Sequence, residues 1–133
     1  MANEAVCIET PTEFARYTVA DGTQISYGTL MKLSGDNTVA ASSADSDVWG
    51  GIAWEEKTAS DGIVELSCAM NGVWDLTTNA GAAVTRGSLV SLSGANLIKD
   101  ATEAEEITGD IIGKALEAGS TSEVIRVRVG RTT

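Results

Sequence analysis

The sequence predicts a mainly β protein, folded as a compact antiparallel β-barrel or sandwich that is built from two pseudo-repeats. Three observations support this prediction. Short runs of alternating apolar and polar residues recur along the chain, glycine-containing turn motifs separate them, and one pattern of residues occurs twice. Because alternation with a period of two places apolar side chains on one face of a strand, many short runs of this kind favour a barrel or a sandwich.

Residues 1–16 are predicted to form an extended N-terminal arm. They contain few turn motifs, and their larger apolar residues, Val6, Ile8 and Phe14, are scattered. Such an arm could add a strand to a neighbouring molecule. Residues 17–133 are long enough for one domain with its own core, so we expect this domain to fold even when the arm is deleted.

Turn motifs such as Asp21-Gly22, Asp61-Gly62 and Asn71-Gly72 divide the domain into strands, because these pairs adopt positive φ at low cost. The predicted strands are residues 29–33, 50–55, 63–70, 73–76, 88–93, 111–116 and 124–129. At most one short helix is expected, between residues 101 and 107. Ala and Glu are frequent there, and Asp100 followed by Glu103 resembles a capping box.

The two pseudo-repeats are recognised by three matched blocks in the same order. Residues 27–37 recur as residues 86–96, residues 51–55 as 113–117, and residues 63–66 as 124–127. These matches predict repeats that span about residues 25–76 and 84–129. Two such halves could close around one core and leave few unpaired strand edges.

Composition excludes several classes of function. The formal net charge is −10 and the chain has no histidine. A surface this acidic repels phosphate backbones, and the commonest general base and zinc ligand is missing. There is no apolar run of the ~18 residues that a membrane span needs, and the first residues do not resemble a secretion signal. We therefore expect no catalytic residue, no cofactor, no metal, no nucleic acid and no membrane partner.

The two cysteines, Cys7 and Cys68, lie far apart in the sequence. Cys68 falls on the apolar face of its predicted strand and is expected to be a buried, unreactive side chain. Cys7 lies in the predicted arm, and a disulfide between the two remains the alternative. Acidic pairs such as Glu55-Glu56 lack the spacing of a calcium loop and are interpreted as solvated carboxylates.

Tryptophans and C-terminal arginines are the other candidate residues. Trp54 and Trp74 are predicted to lie in the core, whereas Trp49, which precedes two glycines, is predicted at an interface. Arg126 and Arg128 alternate with apolar residues on the last strand, and Arg131 follows them. These arginines could pair across the sheet with an acidic strand, such as the one that carries Glu65, or they could dock against an acidic partner.

Several of these motifs together resemble those of a known family. The motifs are residues 18–23, residues 28–33, Gly51-Ile52-Ala53, residues 71–76, residues 87–90 and residues 112–117. They resemble the small head decoration (capsid cement) proteins of tailed viruses, and the resemblance covers about residues 17–130. Trp49 and Trp74 stand where this family pattern leads us to expect phenylalanine.

The resemblance implies a decoration domain without catalysis or cofactor. Such a protein is made in the host cytoplasm and binds the outside of the virion as a homotrimer, at local three-fold sites between major capsid subunits. The residues expected at the capsid or oligomer interface are Val6, Ile8, Phe14, Arg16, Trp49, Arg126 and Arg128. The alternatives are a virion-associated module that binds host glycans or a receptor, using Trp49, and a tail or fibre component. An enzyme that uses paired carboxylates is the weakest alternative.

Overall fold

The computed structural model describes residues 2–130. These residues form eleven strands and one short helix. In chain order they are β1 (Val6–Glu9), β2 (Phe14–Thr18), β3 (Leu30–Gly35), β4 (Thr38–Ala41), β5 (Trp49–Ala53), β6 (Glu65–Ala69), β7 (Gly72–Thr78), β8 (Leu89–Leu92), β9 (Leu97–Asp100), α1 (Glu103–Thr108), β10 (Ile111–Ala115) and β11 (Val124–Val129). The predicted mainly β fold with one short helix is confirmed.

The strands close into two five-stranded barrels with the same topology. The N-terminal barrel has the order β2-β4-β3-β5-β6, and the C-terminal barrel has the order β7-β9-β8-β10-β11, with β1 added to β7 as a further strand. In each barrel one pair is parallel, β2 with β4 and β7 with β9, and the other pairs are antiparallel. Each half therefore closes its own barrel, whereas the sequence analysis expected two halves around one core.

The strand registers show how closely the two halves correspond. Thr18 pairs with Thr38 in the first half, and Thr77 pairs with Leu97 in the second. Thr77 follows Thr18 by the same number of residues as Leu97 follows Thr38. The number of residues that separates equivalent positions is larger for β5 and β10, because α1 lengthens the connection before β10. For β6 and β11 it again equals the separation between Thr18 and Thr77. The predicted match of residues 63–66 with 124–127 is therefore wrong by two positions. A shift of two keeps each side chain on its face of the strand, so the alternation pattern could not reveal it.

The boundaries of the two halves also differ from the predicted ones. The N-terminal barrel begins with β2, inside the predicted arm of residues 1–16, and β7 belongs to the C-terminal barrel. The structural repeats therefore span residues 14–69 and 72–129 rather than 25–76 and 84–129. The reason is that β2 (FARYT) carries exposed Phe14 and Arg16, so its side chains do not alternate clearly between apolar and polar.

The two barrels share part of their core. Interior side chains of the N-terminal barrel form one apolar cluster, which includes Met31, Leu66 and Cys68. A second cluster fills the C-terminal barrel and also includes residues from the outer face of the N-terminal barrel: Leu30, Trp49, Ile52 and Ala69. Burial of this outer face holds the barrels together. The equivalent positions of the C-terminal barrel carry Leu89, Ile111, Lys114 and Arg128, none of which is fully buried, so the contact is not repeated on that side.

Asn96 adds a polar connection between the barrels. It adopts a positive φ of 57° in the turn before β9 and is fully buried. Its Oδ1 accepts a hydrogen bond of 2.8 Å from the Leu30 N–H, its own N–H donates to Ser42 Oγ (3.0 Å), and its Nδ2 donates to the Ala2 carbonyl (2.9 Å). Its counterpart, Asn37, has the same backbone conformation but is exposed. Buried polar groups need such partners, and the bonds to Leu30 and Ser42 join the C-terminal barrel to the N-terminal barrel.

The helix starts two residues later than predicted. Thr102 is the N-cap, and it forms a capping box with Glu105; the predicted pair was Asp100 and Glu103. Gly109, with a φ of 83°, ends the helix. Glu105 is buried because its other contacts lie between the barrels, on Ser46, Ser91 and Lys99.

Candidate functional site

The N-terminal segment lies against its own chain rather than extending away from it. Strand β1 pairs with the first half of β7, with Val6 opposite Asp75, Cys7 opposite Trp74 and Glu9 opposite Val73. Cys7 packs against the apolar cluster that fills the C-terminal barrel, whereas Val6 and Ile8 point outward and are exposed. The predicted free arm is therefore wrong for residues 6–9 and 14–16, because both stretches are strands of the folded protein.

Three exposed or half-exposed aromatic side chains lie together on the N-terminal barrel. We call Phe14, Tyr27 and Trp54 the aromatic surface. The ring centroids of Phe14 and Trp54 are 5.4 Å apart, and those of Tyr27 and Trp54 are also 5.4 Å apart. The buried ring of Trp74 lies beneath them, 5.9 Å from Trp54 in an edge-to-face arrangement. Phe14 is 48% exposed and Tyr27 is 41% exposed, so two of the three rings face solvent.

Local structure explains why these rings face outward. In β2 the side chains of Ala15 and Tyr17 turn toward the barrel, so Phe14 and Arg16 turn away from it. Tyr27 precedes Gly28, whose φ of 90° turns the chain into β3. The Tyr27 N–H donates to Glu56 Oε1 (3.0 Å), which holds this turn beside Trp54. Exposed aromatic side chains grouped in this way are typical of contact surfaces.

Carboxylates surround the aromatic surface. Arg16 Nε donates to Glu65 Oε1 (2.8 Å), and its Nη1 lies 3.4 Å from Glu55 Oε1. The hydrogen bond to Glu65 is the main reason that the pKa of Arg16 is raised. Glu56, which accepts the hydrogen bond from the Tyr27 N–H, adds a further carboxylate beside these rings. The single arginine is therefore matched by two carboxylates, and the region as a whole is acidic.

One backbone edge beside the aromatic surface is unpaired. Glu13 and Val19 bond to the β6 side of β2, since the Met70 N–H donates to the Glu13 carbonyl and the Val19 N–H to the Val64 carbonyl. The Thr18 N–H instead donates to the Asn37 carbonyl, on the opposite side. By alternation, the N–H and C=O groups of Phe14 and Arg16 point to that opposite side too. Among residues 2–130, no strand pairs with them there. We call this stretch the β2 edge.

The C-terminal arginines lie on the outer face of the other barrel. Arg126 Nε is 3.6 Å from Asp75 on the neighbouring strand β7, so its acidic partner is Asp75, while Glu65 pairs with Arg16. Arg128 lines a cavity of about 430 Å³, together with Glu9 and Glu13, where the N-terminal segment meets the end of β11. Arg131 lies outside the described residues. Arg126 therefore pairs across the sheet, as in the first of its two interpretations, but its partner is Asp75 rather than Glu65.

Trp49 is the sequence-predicted interface residue that the structure does not place on the surface. It is 8% exposed and packs in the core that the two barrels share. Both faces of β5 are buried, so alternation could not reveal which side Trp49 faces. Trp74 is buried as predicted, whereas Trp54 is only partly buried. Sequence reasoning missed Tyr27 because nothing in the sequence places it next to Trp54.

The thiols and acidic side chains of residues 2–130 form neither a disulfide nor a metal-binding group. Both thiols are free, and burial raises the pKa of Cys68 to about 12. No group of three or more His, Cys, Asp or Glu side chains in residues 2–130 could hold a metal ion. The one helix in this part of the chain, α1, is not long or apolar enough to cross a membrane.

The aromatic surface and the β2 edge are together the candidate functional site, since they combine exposed rings, unpaired backbone groups and acidic surroundings. Of the predicted interface residues, Phe14 and Arg16 lie here, and Val6 and Ile8 lie on β1. A comparison with protein-family models gave no match to the chain, and neither did a comparison with curated proteins.

Proposed function

We propose that the protein is a structural virion component that decorates and stabilises the outside of an icosahedral capsid. It binds as a homotrimer at local three-fold sites between major capsid subunits. The observation that carries this proposal is the aromatic surface beside the β2 edge, because it gives a rigid domain a place to dock. The resemblance of the turn and strand motifs to capsid cement proteins supports the same function.

The mechanism is mechanical rather than catalytic. A subunit that binds the assembled shell, but not dispersed capsid subunits, stabilises the shell by mass action. A trimer contacts several capsid subunits at once, so contacts that are weak individually become strong when they are linked. A net charge of −10 suits a surface that faces solvent and must not bind the packaged nucleic acid.

A virion-associated module that binds host glycans, or a tail or fibre component, is the alternative. The sequence favours Trp49 for this role, but that side chain is buried in the core that the two barrels share. A glycan would instead have to stack on Tyr27 and Trp54. The two functions are distinguished by whether the purified protein binds shells or sugars.

The test is co-sedimentation of the purified protein with undecorated, expanded capsids of its virus. We expect saturable binding at a fixed ratio to the major capsid protein. Trp54→Ala should weaken this binding, since it removes the central ring of the aromatic surface. Ile107→Ala is the matched control, because Ile107 is 88% exposed on α1 in the other barrel.

Failure of the wild-type protein to sediment with expanded shells would contradict the proposal. Binding to a glycan array, lost in Trp54→Ala and retained in Ile107→Ala, would instead support the alternative. Equal loss of shell binding in both variants would show that the aromatic surface is not the contact.

A further inference from the structure

We propose that the β2 edge is a strand-addition site that takes an extended, basic segment of a partner protein. This inference rests on the proposed function, for which the partner is the capsid shell, and it names the kind of contact. Because the chain is internally duplicated, it contains an occupied copy of this site.

The occupied copy is on the C-terminal barrel. The edge of β7 at Val73 and Asp75 carries β1, which pairs with it in antiparallel register. Phe14 and Arg16 are the counterparts of Val73 and Asp75, because the same displacement along the chain relates Thr18 of β2 to Thr77 of β7. The β2 edge is therefore the position on the N-terminal barrel at which the C-terminal barrel receives its extra strand.

The residue at the occupied edge of β7 is buried, whereas its counterpart at the β2 edge is exposed, as expected if the β2 edge is an empty site. Val73, which pairs with Glu9 of β1, is 1% exposed, whereas its counterpart Phe14 is 48% exposed. The remaining half of β2 is not available, because Thr18 already pairs with Thr38 on β4. The site is thus short, about three residues, with Phe14 and Arg16 offering backbone donors and acceptors to an incoming strand.

The charges around the site determine the occupant. Glu55, Glu56 and Glu65 lie beside the aromatic surface, and Arg16 is already paired with two of them. An incoming lysine or arginine could pair with these carboxylates and stack on Tyr27 or Trp54. Strand β1 of a second copy has the sequence VCIE and carries no basic residue, so charge favours a basic partner segment.

The first test uses a pair of variants at one position. Phe14→Ala removes only the ring, whereas Phe14→Pro also removes the N–H that an added strand would use. Binding to expanded shells should be at least about tenfold weaker for Phe14→Pro than for Phe14→Ala. Thermal unfolding of both variants shows whether the barrel has formed.

A second measurement does not depend on the folding of the proline variant. Hydrogen exchange of the wild-type protein should slow at the amides of Phe14 and Arg16 when shells are bound, because a strand partner would then bond them. Unchanged exchange at these amides would overturn the inference. Shell binding that is equal in Phe14→Pro and Phe14→Ala would also overturn it, while leaving the proposed function intact. Failure of the wild-type protein to bind shells would instead contradict the proposed function.

The charge of the occupant is tested by a second pair. Glu65→Lys should weaken shell binding about tenfold, because Glu65 is an exposed carboxylate beside Arg16. Glu123→Lys, the same change of charge on the exposed surface of the C-terminal barrel, should not weaken it. Equal weakening by both variants would show that only the net charge matters, and it would overturn the proposal that the occupant is basic.

Sedimentation equilibrium of the free protein tests whether the occupant is instead a second copy of this chain. Dissociation of an oligomer by Phe14→Pro, but not by Phe14→Ala, would assign the edge to that copy and overturn the proposal.

Discussion

Lys57 and Gly119 occupy the same place in the two barrels. Each exchanges two backbone hydrogen bonds with one residue, Lys57 with Ile25 and Gly119 with Val84. At Gly119 a Cβ would collide with the side chain of Ile125, so apolar packing fills this end of the C-terminal barrel. At Lys57 the fully buried side chain fills the same space, and its ammonium group lies 2.9 Å from Asp61 and 3.3 Å from Asp21.

Removal of the Lys57 charge should destabilise the N-terminal barrel. Burial lowers the pKa of Lys57, but hydrogen bonds to Asp61 and Asp21 outweigh this effect and raise it overall. Lys57→Met keeps the volume of the side chain and leaves both carboxylates without their cation. We expect a melting temperature several degrees below that of the wild type, measured by circular dichroism. Lys114→Met, at an exposed position, should melt like the wild type. Equal melting of all three proteins would show that the ion pairs do not contribute.

Glu105 should make stability depend on acidic pH. Burial raises its pKa, but hydrogen bonds from Ser46, the Thr102 N–H and Ser91 outweigh this effect and lower the pKa to about 2. A lowered pKa in the folded state stabilises the protein above the ordinary value of 4.5, and this contribution disappears as the pH falls from 4.5 to about 2. Its size is on the order of 3 kcal/mol.

The measurement is urea unfolding of the wild type and Glu105→Gln between pH 7 and pH 2. The two proteins should differ most at neutral pH and converge at the acid end. Glu106→Gln, a neighbouring but exposed carboxylate, should follow the wild type throughout. If Glu106→Gln and Glu105→Gln showed the same pH dependence, the buried hydrogen bonds would not be its source.

The two thiols should react very differently. Because burial raises the pKa of Cys68 to about 12, roughly one molecule in ten thousand carries the thiolate at pH 8. Cys7 is only partly buried, on the strand that pairs with Trp74. Mass spectrometry after alkylation of the native protein should therefore find one label, at Cys7, and two labels after unfolding in urea. A native Cys7→Ser protein that still takes up one label would contradict this assignment.

Two truncations should distinguish the contribution of β1 to folding from that of β2. Deletion of residues 2–9 removes β1 alone, so the barrels should still form, with a lower melting temperature because Ala5 and Cys7 leave the core. Deletion of residues 2–16 also removes three of the five residues of β2 and should abolish the N-terminal barrel, contrary to the expectation from sequence. Far-ultraviolet circular dichroism and thermal unfolding measure both outcomes. Cooperative unfolding of the longer truncation at the wild-type temperature would show that β2 is dispensable.

Much of the fold was predictable because apolar alternation and turn residues are local. The last strand, Val124–Val129, was predicted with its correct ends, since Ile125, Val127 and Val129 face inward and two arginines face outward. The duplication was visible because Gly28 and Gly87 both need a positive φ at the same point of their repeats. Barrel closure was not predictable, since it depends on the parallel pairing of β2 with β4, which alternation does not encode.

The candidate site was predictable only in part. Phe14 and Arg16 were identified as residues of an extended segment, but the segment was expected to be a free arm. The aromatic surface joins three separate segments of the chain, and only the folded barrel brings Tyr27 and Trp54 within 5.4 Å. The buried Lys57 has no sequence pattern that distinguishes it from a surface lysine. Such contacts between distant residues are set by tertiary packing rather than by local propensity.

The measurement that tests the central claim most directly is calorimetry of expanded, undecorated shells at increasing ratios of added protein. We predict that the temperature of shell disruption rises with the ratio and stops rising where binding to the major capsid protein saturates. Trp54→Ala should require a higher concentration to produce the same rise. A disruption temperature that stays constant at every ratio would contradict the claim that this protein stabilises a capsid.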